Sequence, residues 1–189
     1  LKYLIEHPDL HNLCLLFMLL SGTRVGEMVT LAYEDFVSDT CAIVLHTERR
    51  YKKDGVTHHV VAELPKTVAG IRQVYIPEEY SWIIKELRKM RPFAHYVCTN
   101  EKGERMTTDC LRKRLYRVCD WTKIDRKSPH KGRKTFCSII LDAGFDKNLV
   151  VSLMGHVDIS TSENHYHYDR KSNQTKQQKI NSILEFKVI

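Results

Sequence analysis

The stretch "LLSGTRVGEMVTL", residues 19–31, decides how the 189-residue chain folds. An apolar run over residues 10–20 has the length of a buried helix, and the "SGT" break ends it. Helical spacing then resumes at four apolar positions, Val25, Met28, Val29 and Leu31. The pattern therefore predicts that Arg24 lies at the start of a second helix, directly after a helix that is buried.

The rest of the chain shows one β-rich region between helical patterns. Three β-rich segments, at residues 41–46, 57–65 and 71–77, are separated by polar and turn residues and predict a three-stranded antiparallel sheet. Helical patterns follow at residues 78–91, 107–121, 131–143, 147–154, 158–168 and 173–186. We therefore expect an α+β fold that is mostly α-helical and has one small sheet.

Composition limits the class of protein. The net charge of +7 and the pI near 9.1 favour a polyanionic partner such as nucleic acid. The longest apolar run, residues 13–20, is too short to span a bilayer, so we expect no membrane association.

The six cysteines form no C-x-x-C pair and are predicted to be buried thiols in a reducing cytoplasm. The chain begins within a helical pattern and without Met, which suggests a piece of a longer protein.

Several basic residues lie at helix boundaries, where their side chains can converge. Arg24 follows the "SGT" break, His130 and Arg133 lie three residues apart in "HKGRKTF", and His156 follows a glycine in "LMGHVDIST". Each of them alone is better explained as a helix-end salt bridge, a solvated surface charge or a helix cap. Only their combination points to a shared site.

Two other interpretations of the C-terminal region stay open from the residues alone. Gly-linked helical patterns over residues 142–166 are compatible with a helix-turn-helix DNA-binding motif. Three histidines, His156, His165 and His167, are candidate zinc ligands, but the sequence has neither an HExxH motif nor a cysteine pair. The metal interpretation is the weaker of the two.

Four motifs in order give the chain a family resemblance. They are "LLSGTRVGEMVTL", "PKT" before "IRQVYIP", "HKGRKTF", and "LMGHVDIST" followed by a tyrosine. Together they resemble the tyrosine recombinase family, the phage and conjugative-transposon integrases, over about residues 10–170. The resemblance implies a tyrosine recombinase catalytic domain over residues 1–170. It also implies that residues 171–189 are a linker and tail helix that can dock on a neighbouring subunit, and the alternative is a tail that folds on its own domain.

The resemblance also implies a set of catalytic residues, with Glu27 as the structural companion of the first arginine. These residues are Arg24, Lys66, His130, Arg133, His156 and the nucleophile Tyr166. The family's nucleophile usually lies nine residues after the last histidine, where this chain has His165. Tyr166 is next to that position and is our prediction, with Tyr168 as the alternative.

The implied activity is site-specific DNA recombination, for integration or excision of a mobile element, through a covalent 3′-phosphotyrosyl intermediate. Two guanidinium groups suit the charge that develops on the phosphate, and Lys66 suits protonation of the leaving 5′-oxygen. The resemblance implies no metal, ATP or other cofactor. The partners would be double-stranded DNA and other recombinase subunits, in the bacterial cytoplasm at the nucleoid. The alternatives are DNA relaxation of the type IB topoisomerase kind and a non-catalytic DNA-binding regulator.

Overall fold

The computed structural model of the protein describes residues 1–62 and 70–155. In these ranges the helices are α1 (Lys2–Glu6), α2 (Leu10–Ser21), α3 (Val25–Met28), α4 (Trp82–Met90), α5 (Thr108–Trp121), α6 (Pro129–Asp142) and α7 (Lys147–Met154). The strands are β1 (Cys41–Val44), β2 (Thr47–Lys53), β3 (Val56–Ala62) and β4 (Arg72–Tyr75). The expected α+β class is confirmed, with about half of the described residues helical and the strands in small antiparallel pairs.

Helix α2 is the centre of the fold. It begins after Asp9, whose side chain caps the helix by accepting a hydrogen bond from the backbone N–H of Asn12 at 2.8 Å. It ends at Gly22, which has the left-handed φ of 67° that favours glycine. A Cβ at this position would also overlap the ring of Phe136 on α6. Gly22 thus lets the chain turn and lets α6 approach the end of α2.

The main core surrounds α2 on several sides. Its largest fully buried side chains come from α2, α3, α4 and α5, and include Leu13, Leu16, Phe17, Met28, Ile83, Leu87 and Leu111. Strands β1 and β4 contribute Ala42, Val44 and Val74. A smaller cluster of Cys137, Val150 and Met154 joins α6 to α7. Burial of these apolar faces fixes where the ends of α2, α6 and α7 meet.

The strands form two separate sheets within the described residues. Strands β1 and β4 pair antiparallel, with Cys41 opposite Tyr75, and strands β2 and β3 form a hairpin with Thr47 opposite Ala62. This corrects the expectation of one three-stranded sheet. The polar residues before position 55 form strand β2 instead of a spacer, because Asp54 and Gly55 both have positive φ and close a tight hairpin turn.

Most helix predictions are confirmed, with differences at the boundaries. Helices α5, α6 and α7 lie where their patterns predicted them. The pattern at 78–91 is divided into a 3₁₀ turn, Glu78–Tyr80, followed by α4, and α3 ends at Met28. Five cysteines are buried as expected, but Cys110 is exposed. The patterns predicted beyond residue 155 lie outside the described residues.

Candidate active site

Arg24 lies at the N-cap of α3, as its position after the "SGT" break predicted. Its backbone N–H donates to Oε2 of Glu27 at 2.7 Å, and its Nη1 donates to Oε1 of the same carboxylate at 2.7 Å. Glu27 therefore orients both the main chain and the side chain of Arg24. The Arg24 side chain is 38% exposed, so its guanidinium can still be reached from solvent.

Glu27 also binds a second arginine, Arg72 on β4. The Arg72 Nη1 and Nη2 groups donate to the two Glu27 oxygens at 3.0 and 2.9 Å, in a bidentate pair in which both side chains are 5% exposed. Burial by itself raises the pKa of Glu27, but the hydrogen bond and charge of Arg72, with the charges of Arg24 and Arg133, lower this pKa to about 2. Glu27 is therefore an ionised, buried anchor for several arginines.

Arg133 reaches the same place from α6. The helix begins with Ser128, whose side chain accepts from the backbone N–H of Lys131, and Pro129 follows in the first turn. One turn into the helix, Arg133 is only 2% exposed. Its Nη1 donates to the carbonyl oxygen of Gly22 at 2.5 Å, so it also ties α6 to the end of α2.

The carboxyl end of α7 receives hydrogen bonds from all three arginines. Arg72 Nε donates to the carbonyl of Leu153 at 2.8 Å, Arg133 Nη2 to the next carbonyl, and Arg24 Nη2 to that of Gly155 at 3.2 Å. The last carbonyls of a helix lack partners within the helix and carry its negative dipole end, so they attract cations. Three separate elements thus hold the point at which the chain continues towards His156.

A cleft of about 370 Å³ opens beside this cluster. Its lining includes Arg24, His130 and Arg133, and on the hairpin and α5 it includes Arg50 and Arg112. The cleft therefore presents cations from four elements of the fold. Such a surface suits an anionic group with several oxygen acceptors, such as a phosphodiester.

The hairpin side of the cleft is fixed by the buried carboxylate of Glu48 on β2. Its Oε1 accepts hydrogen bonds from the Thr108 backbone N–H at 3.0 Å and the Thr108 hydroxyl at 2.7 Å, and lies 2.8 Å from Nδ1 of His59. Its Oε2 accepts from Arg105 Nη1 at 2.5 Å. Burial raises the pKa of Glu48, but these hydrogen bonds outweigh burial and lower it. Glu48 thereby joins the base of the hairpin to the start of α5.

The structure brings together four of the residues singled out in the sequence. Arg24, Glu27 and Arg133 form one hydrogen-bonded cluster around the end of α7, and His130 lines the same cleft. The other predicted site residues, Lys66, His156 and Tyr166 with its alternative Tyr168, lie outside the described residues.

Sequence reasoning missed Arg72, although the sequence contained a signal. Every second residue along β4 faces inward. These inward positions are held by Arg72, Val74 and, just after the strand, Ile76. An arginine at an inward position of a short apolar strand needs a buried partner. Glu27 is that partner, 45 positions earlier in the chain.

The described part of the chain contains neither a metal-ligand cluster nor a membrane-spanning helix. Residues 1–62 and 70–155 contain no group of three or more His, Cys, Asp or Glu side chains placed to hold a metal ion. None of the helices in these ranges combines the length and apolarity needed to cross a membrane. The histidines of the zinc interpretation lie outside these ranges.

Comparison with known proteins identifies the family. The model of the phage integrase family matches residues 4–173 of the chain. The chain belongs to the phage integrase family. The resemblance to tyrosine recombinases that the motifs indicated is thereby confirmed.

Curated relatives of this integrase-family chain are tyrosine recombinases. It is 27% identical over 179 residues to a XerC-like tyrosine recombinase of Caldanaerobacter subterraneus subsp. tengcongensis, covering 82% of this chain and 45% of the relative. It is 26% identical over 151 residues to tyrosine recombinase XerD of Listeria monocytogenes serotype 4b, covering 78% of this chain and 46% of the relative. The chain spans about half the length of the curated relatives it matches.

Solved structures of integrases and recombinases share the fold. The Tn1549 transposon integrase in complex with transposon right end DNA aligns with a TM-score of 0.75 at 22% identity, over 92% of this chain and 58% of that one. The XerA recombinase aligns with a TM-score of 0.72 at 19% identity, over 97% of this chain and 62% of that one. The fold of this integrase-family chain is therefore that of a tyrosine recombinase catalytic domain.

Proposed function

We propose that the protein is a site-specific DNA recombinase that cleaves and rejoins DNA through a covalent 3′-phosphotyrosyl intermediate, for integration or excision of a mobile element. The observation that carries the proposal is the convergence of Arg24, His130 and Arg133 on one cleft. Family membership and the DNA complex of the Tn1549 transposon integrase support it.

The two arginines act on the phosphate in this mechanism. Attack on a phosphodiester spreads negative charge over the non-bridging oxygens, and oriented guanidinium groups stabilise that charge more strongly in the transition state than in the ground state. Glu27 holds Arg24 in its orientation before DNA arrives, which reduces the cost of ordering it. Arg133 is held by main-chain carbonyls at the wall of the same cleft.

The chemical step makes one bond and breaks one. The phenolic oxygen of Tyr166 attacks phosphorus, the phosphorus–O5′ bond breaks, and a 3′-phosphotyrosyl ester and a free 5′-hydroxyl result. The phenolic proton, with an ordinary pKa near 10, passes to a histidine, His130 or His156, and Lys66 donates a proton to the departing 5′-oxygen. Attack by the 5′-hydroxyl of another strand reverses the step and releases the tyrosine.

This chemistry needs no metal, ATP or other cofactor, because cations stabilise the phosphate and the covalent ester conserves the phosphodiester bond energy. The partners in this proposal are double-stranded DNA and further recombinase subunits assembled on it. The reaction takes place in the bacterial cytoplasm, at the nucleoid.

The nucleophile is tested by comparing Tyr166→Phe with Tyr168→Phe on nicked suicide duplexes made from the DNA that flanks the gene. We expect wild type and Tyr168→Phe to form a covalent protein–DNA adduct on denaturing gels, and Tyr166→Phe to form none. Adduct with Tyr166→Phe but not Tyr168→Phe would move the nucleophile to Tyr168. Adduct from both variants would contradict the assignment of either tyrosine.

The adduct assay, together with an assay for joining ends from two different duplexes, separates the rival functions. A non-catalytic regulator binds DNA but forms no adduct with the wild-type protein. A topoisomerase of the type IB kind forms adduct and relaxes supercoiled DNA but does not join ends from two different duplexes. We expect the wild-type protein to form adduct and to join ends between duplexes, equally in the presence and in the absence of excess EDTA.

We also propose that residues 171–189 dock on a neighbouring copy of the chain. This tail carries four apolar residues at helical spacing, Ile180, Ile183, Leu184 and Phe186. An apolar groove of about 420 Å³ lies between β4, α6 and α7, and its lining includes Val74, Phe136, Ile140, Phe145, Leu149 and Leu153. The tail of a second copy is the occupant that we assign to this groove.

Removal of either half of this contact should weaken assembly on DNA. Deletion of residues 173–189 and the substitution Leu149→Asp should both reduce formation of multi-subunit complexes in gel-shift and light-scattering assays, while adduct formation by a single subunit persists. Unchanged assembly after the deletion would overturn the docking proposal. Assembly lost by deletion but not by Leu149→Asp would place the tail elsewhere on the partner.

A further inference from the structure

A second cluster of arginines lies on the same cleft as the candidate active site, on the hairpin and on α5. Arg50 on β2 and Arg112 on α5 both bind the carboxylate of Asp109, in the first turn of α5. Arg50 Nη1 lies 3.3 Å from Asp109 Oδ1 and 3.4 Å from Oδ2, and Arg112 Nη2 donates to Oδ1. Both arginines line the cleft that Arg24 and Arg133 also line.

This cluster retains free hydrogen-bonding capacity. A guanidinium has five N–H donors on three nitrogens. Among the described residues, Arg50 donates through Nη1 only and Arg112 through Nη2 only, both to Asp109. Two nitrogens of each guanidinium therefore stay available to an incoming acceptor. Their side chains are 54% and 40% exposed, so such an acceptor can reach them from solvent.

The two arginines are held in place by a rigid support. They come from elements that are distant in sequence, and the buried Glu48 joins these elements through Thr108, His59 and Arg105. Asp109 offsets the repulsion between the two cations but leaves the three charges with a net of +1. A site built in this way is prepared for one further anion with several oxygens.

We propose that Arg50 and Arg112, oriented by Asp109, form a second phosphate-binding site that holds a DNA backbone phosphate other than the one that is cleaved. The proposal rests on the proposed function, since it takes DNA as the ligand of the cleft. The role of this site is to position DNA along the cleft, and it takes no part in the chemical step. It reads no base, so its contribution to affinity is independent of sequence.

The test measures binding to a short labelled DNA duplex of mixed sequence as salt rises from about 50 to 200 mM. We expect Arg50→Ala and Arg112→Ala each to weaken binding about tenfold and to reduce the slope of log affinity against log salt by about one. Arg112→Lys keeps the charge but loses the planar fork, so it should restore the slope and only part of the affinity.

The matched control is Arg126→Ala, which removes one arginine from an exposed ion pair with Asp120 outside the cleft lining. We expect the control to keep the wild-type slope, and all variants to keep the wild-type melting temperature. An unchanged slope in the Arg50 and Arg112 variants would overturn the proposal. An equal loss of slope in the Arg126 variant would also overturn it, because net charge would then explain the effect.

The two proposals fail in different ways. A wild-type protein that neither binds the duplex nor forms covalent adduct overturns the proposed function, and this inference with it. A wild-type protein that binds and forms adduct, while the Arg50→Ala, Arg112→Ala double variant binds equally well, overturns this inference alone.

Discussion

Among the described residues, Glu27 and Asp109 each bind two arginines, but the carboxylate of Glu27 is buried and that of Asp109 lies near the surface. Glu27, 5% exposed, binds Arg24 and Arg72. Asp109, 29% exposed, binds Arg50 and Arg112. Each set contributes to the lining of the same cleft, Arg24 from the first and Arg50 and Arg112 from the second, so the main difference between the two carboxylates is their burial.

Burial changes what such a cluster can do. Removing one partner of a buried ion pair leaves an unpaired charge that water cannot reach, so the buried set determines the structure around it. An exposed pair contributes little to stability, because water solvates the charges when they separate. The buried carboxylate is therefore suited to orienting Arg24, for which we propose a catalytic role, and the exposed one to exchanging contacts with a ligand.

The largest expected effect comes from breaking the buried cluster at its carboxylate. Glu27→Gln should lower the free energy of unfolding by about 3–5 kcal/mol, because it leaves Arg72 buried without a counter-charge. Urea unfolding followed by circular dichroism measures the loss. The control is Glu79→Gln, at an exposed glutamate, which should change stability by less than about 0.5 kcal/mol. Equal effects of the two substitutions would contradict the role assigned to burial.

The next effect separates catalysis from stability within the buried cluster. Arg24→Ala should slow single-turnover adduct formation by about 100- to 1,000-fold, because it removes one charged donor to the transition state. Its partial exposure should leave the melting temperature near that of wild type. Arg133→Ala should slow cleavage similarly but also destabilise the fold, because Arg133 is buried. Normal cleavage by either folded variant would exclude that arginine from catalysis.

A smaller effect follows from the lowered pKa of Glu27. With a pKa of about 2 when folded and an ordinary value of 4.5, the unfolded chain binds the proton more readily. The stabilisation is complete above about pH 4.5 and is lost as pH falls towards 2, up to about 3 kcal/mol. Acid unfolding of wild type and Glu27→Gln measures it, and the variant should lack this part of the pH dependence. If wild type and Glu27→Gln lose stability equally as pH falls, the acid dependence of stability comes from other carboxylates.

The smallest expected effect comes from breaking the exposed cluster. Asp109→Asn should change the free energy of unfolding by less than about 1 kcal/mol, because solvent screens its ion pairs with Arg50 and Arg112. Thermal unfolding of Asp109→Asn and of Glu27→Gln under the same conditions compares the stability losses of the two variants directly. A loss as large as that of the Glu27 variant would show that the surface cluster is structural and would remove the contrast.

Local patterns in the sequence predicted much of the framework of the site. The break after α2 placed Arg24 at a helix start, and the spacing of His130 and Arg133 placed them one turn apart on α6. Helix caps are local, because the capping side chain and the N–H it binds lie within a few residues. In the structure Thr107 and Asp146 cap α5 and α7, at the boundaries where the helical patterns predicted these helices to begin.

Strand β2, and with it the hairpin that it forms with β3, escaped prediction for a physical reason. Five of the seven residues of β2 are exposed, so the strand has no alternation of apolar and polar residues to reveal it. Its polar residues resembled a loop. Pairing with β3 and the tight turn at Asp54 and Gly55 make it a strand.

The sequence by itself determined the family, the helical framework and the places along the chain where Arg24, His130 and Arg133 stand, because ordered motifs and helix periodicity are local properties. Only the tertiary structure decided that Arg72 shares Glu27 with Arg24, and that three arginines meet the end of α7. It also decided which arginines are buried and which remain at the surface. These outcomes depend on packing between residues far apart in the chain, and the free energy of a charged group is set by the water and partners around it.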